Sequence, residues 1–287
     1  MHWAQSPGLL FRNQNWQLSA KELWGKFASG DERCSPPRKE EVKKRMFSRE
    51  KKLCFVIAQG RDGSTLLQAL LNSSQQCRII GENLLVPSLA SSVGTYHHRF
   101  SKRQRTGQNA TEHRDHPWFG VHKISFNRVV REVRRLILRE VLHSSRQYLF
   151  VGCKEIRWLD FPHSLLEMRL LFPNAHYIFL ERDPVAMSQS GWWKDIDDSQ
   201  GLIRSRQYLL QREAEKFRFS IQLSFEDLVQ VDTTRGRIEE FLGLSFPQQT
   251  WEEVRSRKLS HRGGRPSWAV LLKGKRDDEI NWRFLRS

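Results

Sequence analysis

Residues 59–66, QGRDGSTL, have the residue types of a loop that binds an anion. Gly60 and Gly63 allow the backbone to turn tightly with its N–H groups converging, and Arg61 adds a permanent positive charge. A helix that begins directly behind such a loop favours a bound phosphate or sulfate. The segment therefore predicts an anion site formed by Gly60, Arg61, Asp62, Gly63, Ser64, Thr65 and Leu66. An ordinary strand–helix turn, with Ser64 serving only as the helix N-cap, is the alternative.

The order of residues in this loop differs from that of an ATP-binding loop. Such loops place a Lys directly before the hydroxyl residue, as in G-x-x-x-x-G-K-[ST]. Here Gly63 precedes Ser64, no Lys lies in the loop, and the cation Arg61 comes near its start. We therefore expect a ligand other than Mg-ATP, and a P-loop kinase that depends on Mg-ATP is the less favoured alternative.

A second candidate anion site follows the apolar run at residues 175–180. Arg182 comes directly after this run, Pro184 suits the first turn of a helix, and Ser190 lies eight residues after Arg182. Open α/β sheets bind ligands at the carboxyl ends of their strands, where an Arg and a Ser can hold a phosphate. A surface pair of Arg182 with Asp183 is the alternative. Two anion sites on one sheet edge predict a nucleotide with phosphates at both ends.

Strands that alternate with helices must position these motifs. The apolar runs predict buried strands at Leu53–Ala58, Tyr148–Cys153, Ala175–Leu180 and Ile221–Phe225. Apolar residues at helical spacing predict helices at Ser64–Leu71, Asn127–His143, Ser164–Leu171 and Gly236–Leu242. We therefore expect the α/β class, with a P-loop-like parallel sheet flanked by helices in three α/β/α layers. Residues 93–119 are expected to form a long irregular insertion.

The composition fits a folded protein with an anionic partner. The chain has 287 residues, of which 38% are apolar, and a formal net charge of +16. That charge favours nucleic acid, an anionic membrane or a ligand bearing phosphate or sulfate. Changes in composition predict three parts: a basic N-terminal extension at 1–52, an α/β domain at 53–260, and a basic tail at 261–287 that packs on or near the domain.

The cysteines and the N-terminus bear on the expected compartment. Cys34, Cys54, Cys77 and Cys153 show no CxxC spacing, which argues against a disulfide framework or a zinc site. No apolar run is long enough to cross a membrane, and residues 1–30 lack the pattern of a cleaved signal peptide. We expect a cytoplasmic protein by default. A location in the Golgi lumen is expected only if the chain is incomplete.

Four segments in this order resemble the sulfotransferase family, which uses 3′-phosphoadenosine 5′-phosphosulfate (PAPS). The resemblance covers residues 53–245 and rests on GRDGSTLLQALLNSS (60–74), FLERDPVAMSQS (179–190), LSFEDL (223–228) and FLGL (241–244). It implies a PAPS-dependent transferase of the EC 2.8.2 type with PAPS as co-substrate and no metal. The resemblance also implies that residues 60–66 bind the 5′-phosphosulfate and that Arg182 and Ser190 bind the 3′-phosphate.

The resemblance also identifies candidate catalytic residues. The segment RIIGEN, with Glu82, resembles the Gly-Glu segment of the tyrosylprotein and carbohydrate sulfotransferases, in which such a Glu is the proposed base. Glu82 is therefore our first candidate for the base, before His122 and then Lys123. Arg61 would stabilise the charge that develops on the leaving phosphate. Lys154, which ends a buried strand, is expected either to contact the sulfuryl oxygens or acceptor, or to pair with Glu155 or Glu181.

The chain departs from the family pattern in three places. Asp62 stands where the family more often has a small Ser, and we expect its carboxylate to point away from the sulfuryl group, toward an Arg. Otherwise a degenerate sulfotransferase fold without activity becomes the better interpretation. Arg262 and Gly263 resemble the Arg-Lys-Gly tail motif of cytosolic members, without its Lys, and are candidates for nucleotide binding. We also expect no membrane anchor of the kind that Golgi members carry.

The acceptor is left open between a carbohydrate, a peptidyl tyrosine and a small metabolite. Residues 93–119 and the aromatic side chains Trp158, Trp192 and Trp193 are where we expect it to bind. The alternative from another class is a protein that binds nucleic acid or another polyanion, which the net charge and the Arg-rich helix 127–143 favour. No known nucleic-acid motif is present, so no specific nucleic acid is expected. Homodimerisation is left open.

Overall fold

Five parallel strands form one sheet in the described part of the chain. The computed structural model describes residues 52–106, 114–115, 119–120, 123–143, 147–230 and 232–257. The sheet has the order β2-β3-β1-β4-β5 and all its neighbouring strands pair in parallel. Its strands are β1 (Lys52–Ile57), β2 (Cys77–Ile80), β3 (Phe150–Glu155), β4 (His176–Glu181) and β5 (Ser220–Ser224).

Helices cover both faces of this sheet. They are α1 (Ser64–Ser73), α2 (Leu85–Thr106), α3 (Phe126–Leu136), α4 (Ser164–Leu171), α5 (Pro184–Ser188), α6 (Ser199–Ala214), α7 (Phe225–Gln230), α8 (Thr233–Leu242) and α9 (Gln248–Ser256). A π-helical turn, Ile137–Val141, extends α3, and short 3-10 turns occupy Trp158–Asp160 and Gly191–Asp195. None of the helices in the described ranges is both long enough and apolar enough to cross a membrane.

The side chains of β1 show how the three layers are joined. Cys54 and Val56 point into a core that α1, α8 and α9 complete, whereas Phe55 and Ile57 point into a second core beneath α2, α4 and α6. Successive residues of a strand face opposite sides of a sheet, so a central strand buried on both faces must be continuously apolar. The predicted three-layer α/β/α arrangement is confirmed.

Two expectations about the elements were incomplete. The strand β2 was missed, because a run of only four residues, CRII, is too short to be recognised as a strand. Residues 93–106 were expected to be irregular, but they continue α2, whose buried residues Val86, Ala90 and Val93 recur at helical spacing. Except for Lys52, which begins β1, the predicted extension 1–52 lies outside the described residues, as does the tail 261–287.

A glycine in β3 allows the central strands to approach. Gly152 lies in a strand that is entirely buried, and a Cβ atom at this position would overlap the backbone carbonyl oxygen of Cys54 in β1. Because backbone atoms of a central strand cannot move aside independently, a side chain here would strain the β1–β3 pairing. The strand that supports the anion loop therefore depends on this glycine.

We predict that Gly152→Ala lowers the free energy of unfolding by about 3 kcal/mol, since the new methyl group displaces backbone. Gly236→Ala is the matched control, because Gly236 lies inside α8 with open space around it. There, replacing Gly in a helix should stabilise by about 0.5–1 kcal/mol. Urea denaturation of both variants measures the difference, and equal midpoints would contradict this account of β3.

Candidate active site

The carboxyl edge of the sheet brings together most of the candidate residues. β1 leads into residues 58–63, β3 ends at Lys154 and Glu155, β4 leads into Arg182, and Glu82 follows β2. The chain passes from β1 to β2 on one side and later crosses to β4 on the other side of β1. Such a reversal opens a crevice at the carboxyl ends of the strands, which is where α/β sheets bind ligands.

The backbone of the loop after β1 is held in an unusual conformation. Gly60, Arg61 and Gly63 have φ angles of 86°, 65° and 90°, in the left-handed region. A Cβ atom at Gly63 would overlap the ring of Phe225, so only glycine fits at that position. Arg61 adopts this conformation with a full side chain, which is uncommon and costs free energy. Packing from a distant part of the chain therefore imposes the loop shape.

Asp62 points into the protein beneath this loop. Its fully buried carboxylate accepts hydrogen bonds from the backbone N–H groups of Gln59, at 2.7 Å, and Ser64, at 3.1 Å. Burial raises the pKa of Asp62, although the bonds from Gln59 and Ser64 and the charge of Lys154 oppose that rise. Asp62 was expected to point away from the sulfuryl group, toward an Arg; it does point inward, but the Arg partner was wrong. Its partners are backbone amides, and its carboxylate holds the loop from within.

The remaining amides of the loop are available to a ligand. Among the described residues, no acceptor pairs with the backbone N–H groups of residues 60–63 or of Thr65. α1 begins here, and its first turn contains no acidic residue. Converging N–H groups at a helix N-terminus form an anion site through their partial positive charge.

The two sequence motifs meet at this loop. Arg61 Nε donates to Ser190 Oγ at 3.2 Å, and Arg182 Nη1 donates to the carbonyl oxygen of Arg61 at 3.1 Å. The Arg182 guanidinium lies over the ring of Phe225, 4.4 Å from its centroid. Its Nε is buried, and no acceptor pairs with it in the described part of the chain. Two guanidinium groups and one hydroxyl thus flank the free amides, an arrangement that can hold two anionic groups.

An ion pair lies at the other end of the crevice. Lys154 Nζ is 2.5 Å from Glu82 Oε1, and Arg157 Nη2 is 3.7 Å from Glu82 Oε2. The Lys154 side chain is only 4% exposed, so its charge needs a partner. That partner was expected to be Glu155 or Glu181 and is instead Glu82, because β2 pairs with β3. Glu82 and Lys154 are therefore neighbours, as two catalytic candidates must be.

Sequence reasoning missed how Glu155 organises this pair. Its fully buried carboxylate accepts from the backbone N–H groups of Asn83 and Leu84 and from the Arg157 guanidinium. Burial alone would raise the pKa of Glu155, but the bonds from Arg157 and from the Leu84 and Ile156 amides lower it below its usual value. Glu155 thus fixes the segment that carries Glu82. The sequence indicates this role of Glu155 only through a Lys-Glu pair at the end of a strand and an Arg two residues after the Glu.

The described residues include only some of the other sequence candidates. His122, Arg262 and Gly263 fall outside the described residues, and Lys123 is an exposed residue of a turn. Trp158, Trp192 and Trp193 were expected near an acceptor, but all three are buried. Trp193 Nε1 instead donates to the carbonyl oxygen of Gly60 at 3.2 Å and so supports the loop. In the described ranges, no three His, Cys, Asp or Glu residues cluster as metal ligands would.

A family model and two solved structures are similar to this chain. A model of the sulfotransferase family matches residues 54–248, more than half of the chain. The sulfotransferase domain from the Synechococcus PCC 7002 olefin synthase is 19% identical, with 78% of this chain and 94% of that chain covered and a TM-score of 0.45. A sulfotransferase from Alicyclobacillus acidocaldarius is 15% identical, with 74% of this chain and 87% of that chain covered and a TM-score of 0.40. No curated protein matches. On the family match, the chain belongs to the sulfotransferase family.

Proposed function

We propose that this sulfotransferase uses PAPS as its donor and transfers the sulfuryl group to a hydroxyl or amine, with Glu82 as the base. The observation that carries the proposal is the direct contact of Arg61 with Ser190 and of Arg182 with the loop backbone. These contacts bring two anion-binding motifs to one edge of the sheet, as a nucleotide with phosphates at both ends requires.

The residues present fit such a donor. The free amides of the loop and the Arg61 guanidinium would hold the 5′ end, whereas Arg182 and Ser190 would hold the 3′-phosphate. The buried Arg182 Nε, which has no acceptor among the described residues, offers a donor for a phosphate oxygen. When bound, PAPS supplies a sulfuryl group on a phosphate leaving group. Amides and cations already in place stabilise developing charge without reorganisation.

Glu82 is placed to accept the proton of the acceptor. Its Oε1 contacts Lys154, while Oε2 is 3.7 Å from Arg157 and is the less engaged oxygen. We assign proton transfer to Oε2, because a general base must have a lone pair free to face its substrate. Lys154 then orients the carboxylate and contributes positive charge near the sulfuryl oxygens. His122 stays a prediction as the second candidate for the base.

The geometry of Asp62 supports an active enzyme over a degenerate fold. A carboxylate at the mouth of the loop would repel a sulfuryl group, but this one is buried on backbone amides. Polyanion binding is less well supported, because three of the five arginines in α3 and its π-helical extension have acidic neighbours. Arg131 and Arg135 contact Glu132, and Arg139 lies 3.7 Å from Glu140.

We predict that Arg61→Ala, Ser190→Ala and Arg182→Ala each weaken binding of 3′,5′-adenosine diphosphate about tenfold or more. Each removes a hydrogen bond to a charged group, worth roughly 1.5–3 kcal/mol. Calorimetric titration with the bisphosphate in the absence of metal measures the effect, and a parallel titration with Mg-ATP tests the alternative ligand. Arg204→Ala, which removes an exposed charge, is the control variant. Unchanged affinity in all three variants would contradict the assignment of these residues to the nucleotide site.

Glu82→Gln should lower kcat by at least about 100-fold, the contribution typical of a general base, while affinity for 3′,5′-adenosine diphosphate stays unchanged. The assay uses PAPS with a panel of a phenol, a sugar and a tyrosine peptide. Glu181→Gln, at the end of β4 on the same edge, is the matched control because its carboxylate contacts Gln211 rather than Lys154. Full turnover in Glu82→Gln would assign the base elsewhere.

Asp62→Asn should lower the free energy of unfolding by about 1–3 kcal/mol, because an amide nitrogen replaces an oxygen that accepts a backbone N–H. Burial raises the pKa of Asp62 in the folded state. Its contribution to stability is therefore complete below the pKa of the unfolded chain and declines as pH rises through the folded value. The difference between wild type and variant should thus shrink as pH rises from about 4.

Urea denaturation at pH 4 to 7 measures this difference, and the exposed Asp197→Asn is the control. A variant as stable as wild type would contradict the role assigned to the Asp62 carboxylate, and a difference that grows with pH would contradict its raised pKa.

A further inference from the structure

Helix α4 is apolar on two faces, and the described part of the chain packs against only one of them. Leu165, Met168 and Leu171 pack into the core against the sheet. On the opposite face, Leu166 and Leu170 are 46% and 42% exposed, and their spacing places them side by side on the helix. A surface helix of a globular protein normally carries polar residues on its outer face. The outer leucines of α4 therefore require another explanation.

These leucines border an open groove of about 490 Å³. The groove is also lined by Phe172, Pro173 and Asn174, which precede β4, and by Phe217, which precedes β5. It therefore lies at the amino-terminal edge of the sheet, opposite the crevice that holds Glu82 and the anion loop. Whatever binds there does not compete with the proposed donor.

The rim of the groove is cationic. Arg169 and Arg218 line it, and Arg134 approaches it with its guanidinium 5.8 Å from the ring of Phe172. Lys216 also lines the groove and pairs with Glu213 at 2.5 Å. Arg169 Nε is buried, and no acceptor pairs with it among the described residues. Three arginines thus surround an apolar floor with one carboxylate in contact with the rim.

We propose that this groove docks an acidic amphipathic helix of a partner protein. The apolar face of such a helix would cover Leu166 and Leu170, and its carboxylates would pair with Arg134, Arg169 and Arg218. A second copy of this chain is a poor occupant, because each copy carries a net charge of +16. A nucleic acid would satisfy the arginines but would leave the two leucines exposed to water.

The test uses fluorescein-labelled helical peptides of 18 residues and the full-length protein. One peptide has leucines at i, i+3, i+4 and i+7 and glutamates on its outer face, a second has lysines in place of the glutamates, and a third is a scramble of the first. Fluorescence anisotropy should show at least tenfold tighter binding of the glutamate peptide than of either other peptide. Because charge contributes, this affinity should fall as salt is raised.

Groove variants locate the binding surface. Leu166→Ser combined with Leu170→Ser, and separately Arg169→Glu combined with Arg218→Glu, should each weaken binding of the glutamate peptide at least tenfold. Tyr208→Ser combined with Arg212→Glu is the matched control, since it removes an exposed aromatic residue and a nearby exposed cation of α6 outside the groove. This control should leave the affinity unchanged.

Three outcomes would overturn the proposal. One is equal binding of the glutamate peptide and its scramble, and another is binding that both groove variants leave unchanged. The third is binding of anionic lipid vesicles that the leucine variant abolishes while no peptide binds, which would assign the groove to a membrane surface. Affinity for 3′,5′-adenosine diphosphate, measured in the same variants, reports separately on the donor site and should be unchanged.

Discussion

The hydrogen bonds from two backbone amides to the buried Asp62 carboxylate organise the anion loop. Because Gln59 and Ser64 donate inward to this carboxylate, the loop closes on itself between the end of β1 and the start of α1. The other amides are left without partners in the described part of the chain and can serve a ligand. A buried charge is costly, and the N–H groups and the charge of Lys154 offset part of that cost for Asp62.

Charge compensation extends across the carboxyl edge of the sheet. Lys154 lies close enough to Asp62 to influence its titration and is itself paired with Glu82, while Glu155 holds the backbone that presents Glu82. No member of this network can be changed without leaving a neighbour unpaired in a buried setting, which generally costs more than the pair contributes. The candidate base and the anion loop therefore form one electrostatic unit.

The parts of this site that could be predicted from sequence are those written in contiguous residues. Both anion motifs are strand–turn–helix segments, so local chemistry identified Arg61, Arg182 and Ser190 together with their edge of the sheet. The Lys154–Glu82 pair could not be predicted, because it requires β2 to lie beside β3, and the four residues of β2 are too short a run to be recognised as a strand. Charge repulsion predicted that Asp62 points away from the sulfuryl group, but not that its partners are backbone amides, since that depends on which amides the folded loop leaves unpaired.

The packing of Phe225 against Gly63 has a consequence for how the enzyme is made. On the ribosome, the anion loop emerges long before the residues that shape it, because Ser190 lies 129 positions after its partner Arg61 and Phe225 follows later still. The central strand β1 likewise cannot complete its pairing until β3 and β4, which flank it, have been synthesised. Such non-local contacts form slowly and late. A nascent chain that ends before Phe225 therefore carries the loop sequence without the packing that shapes it.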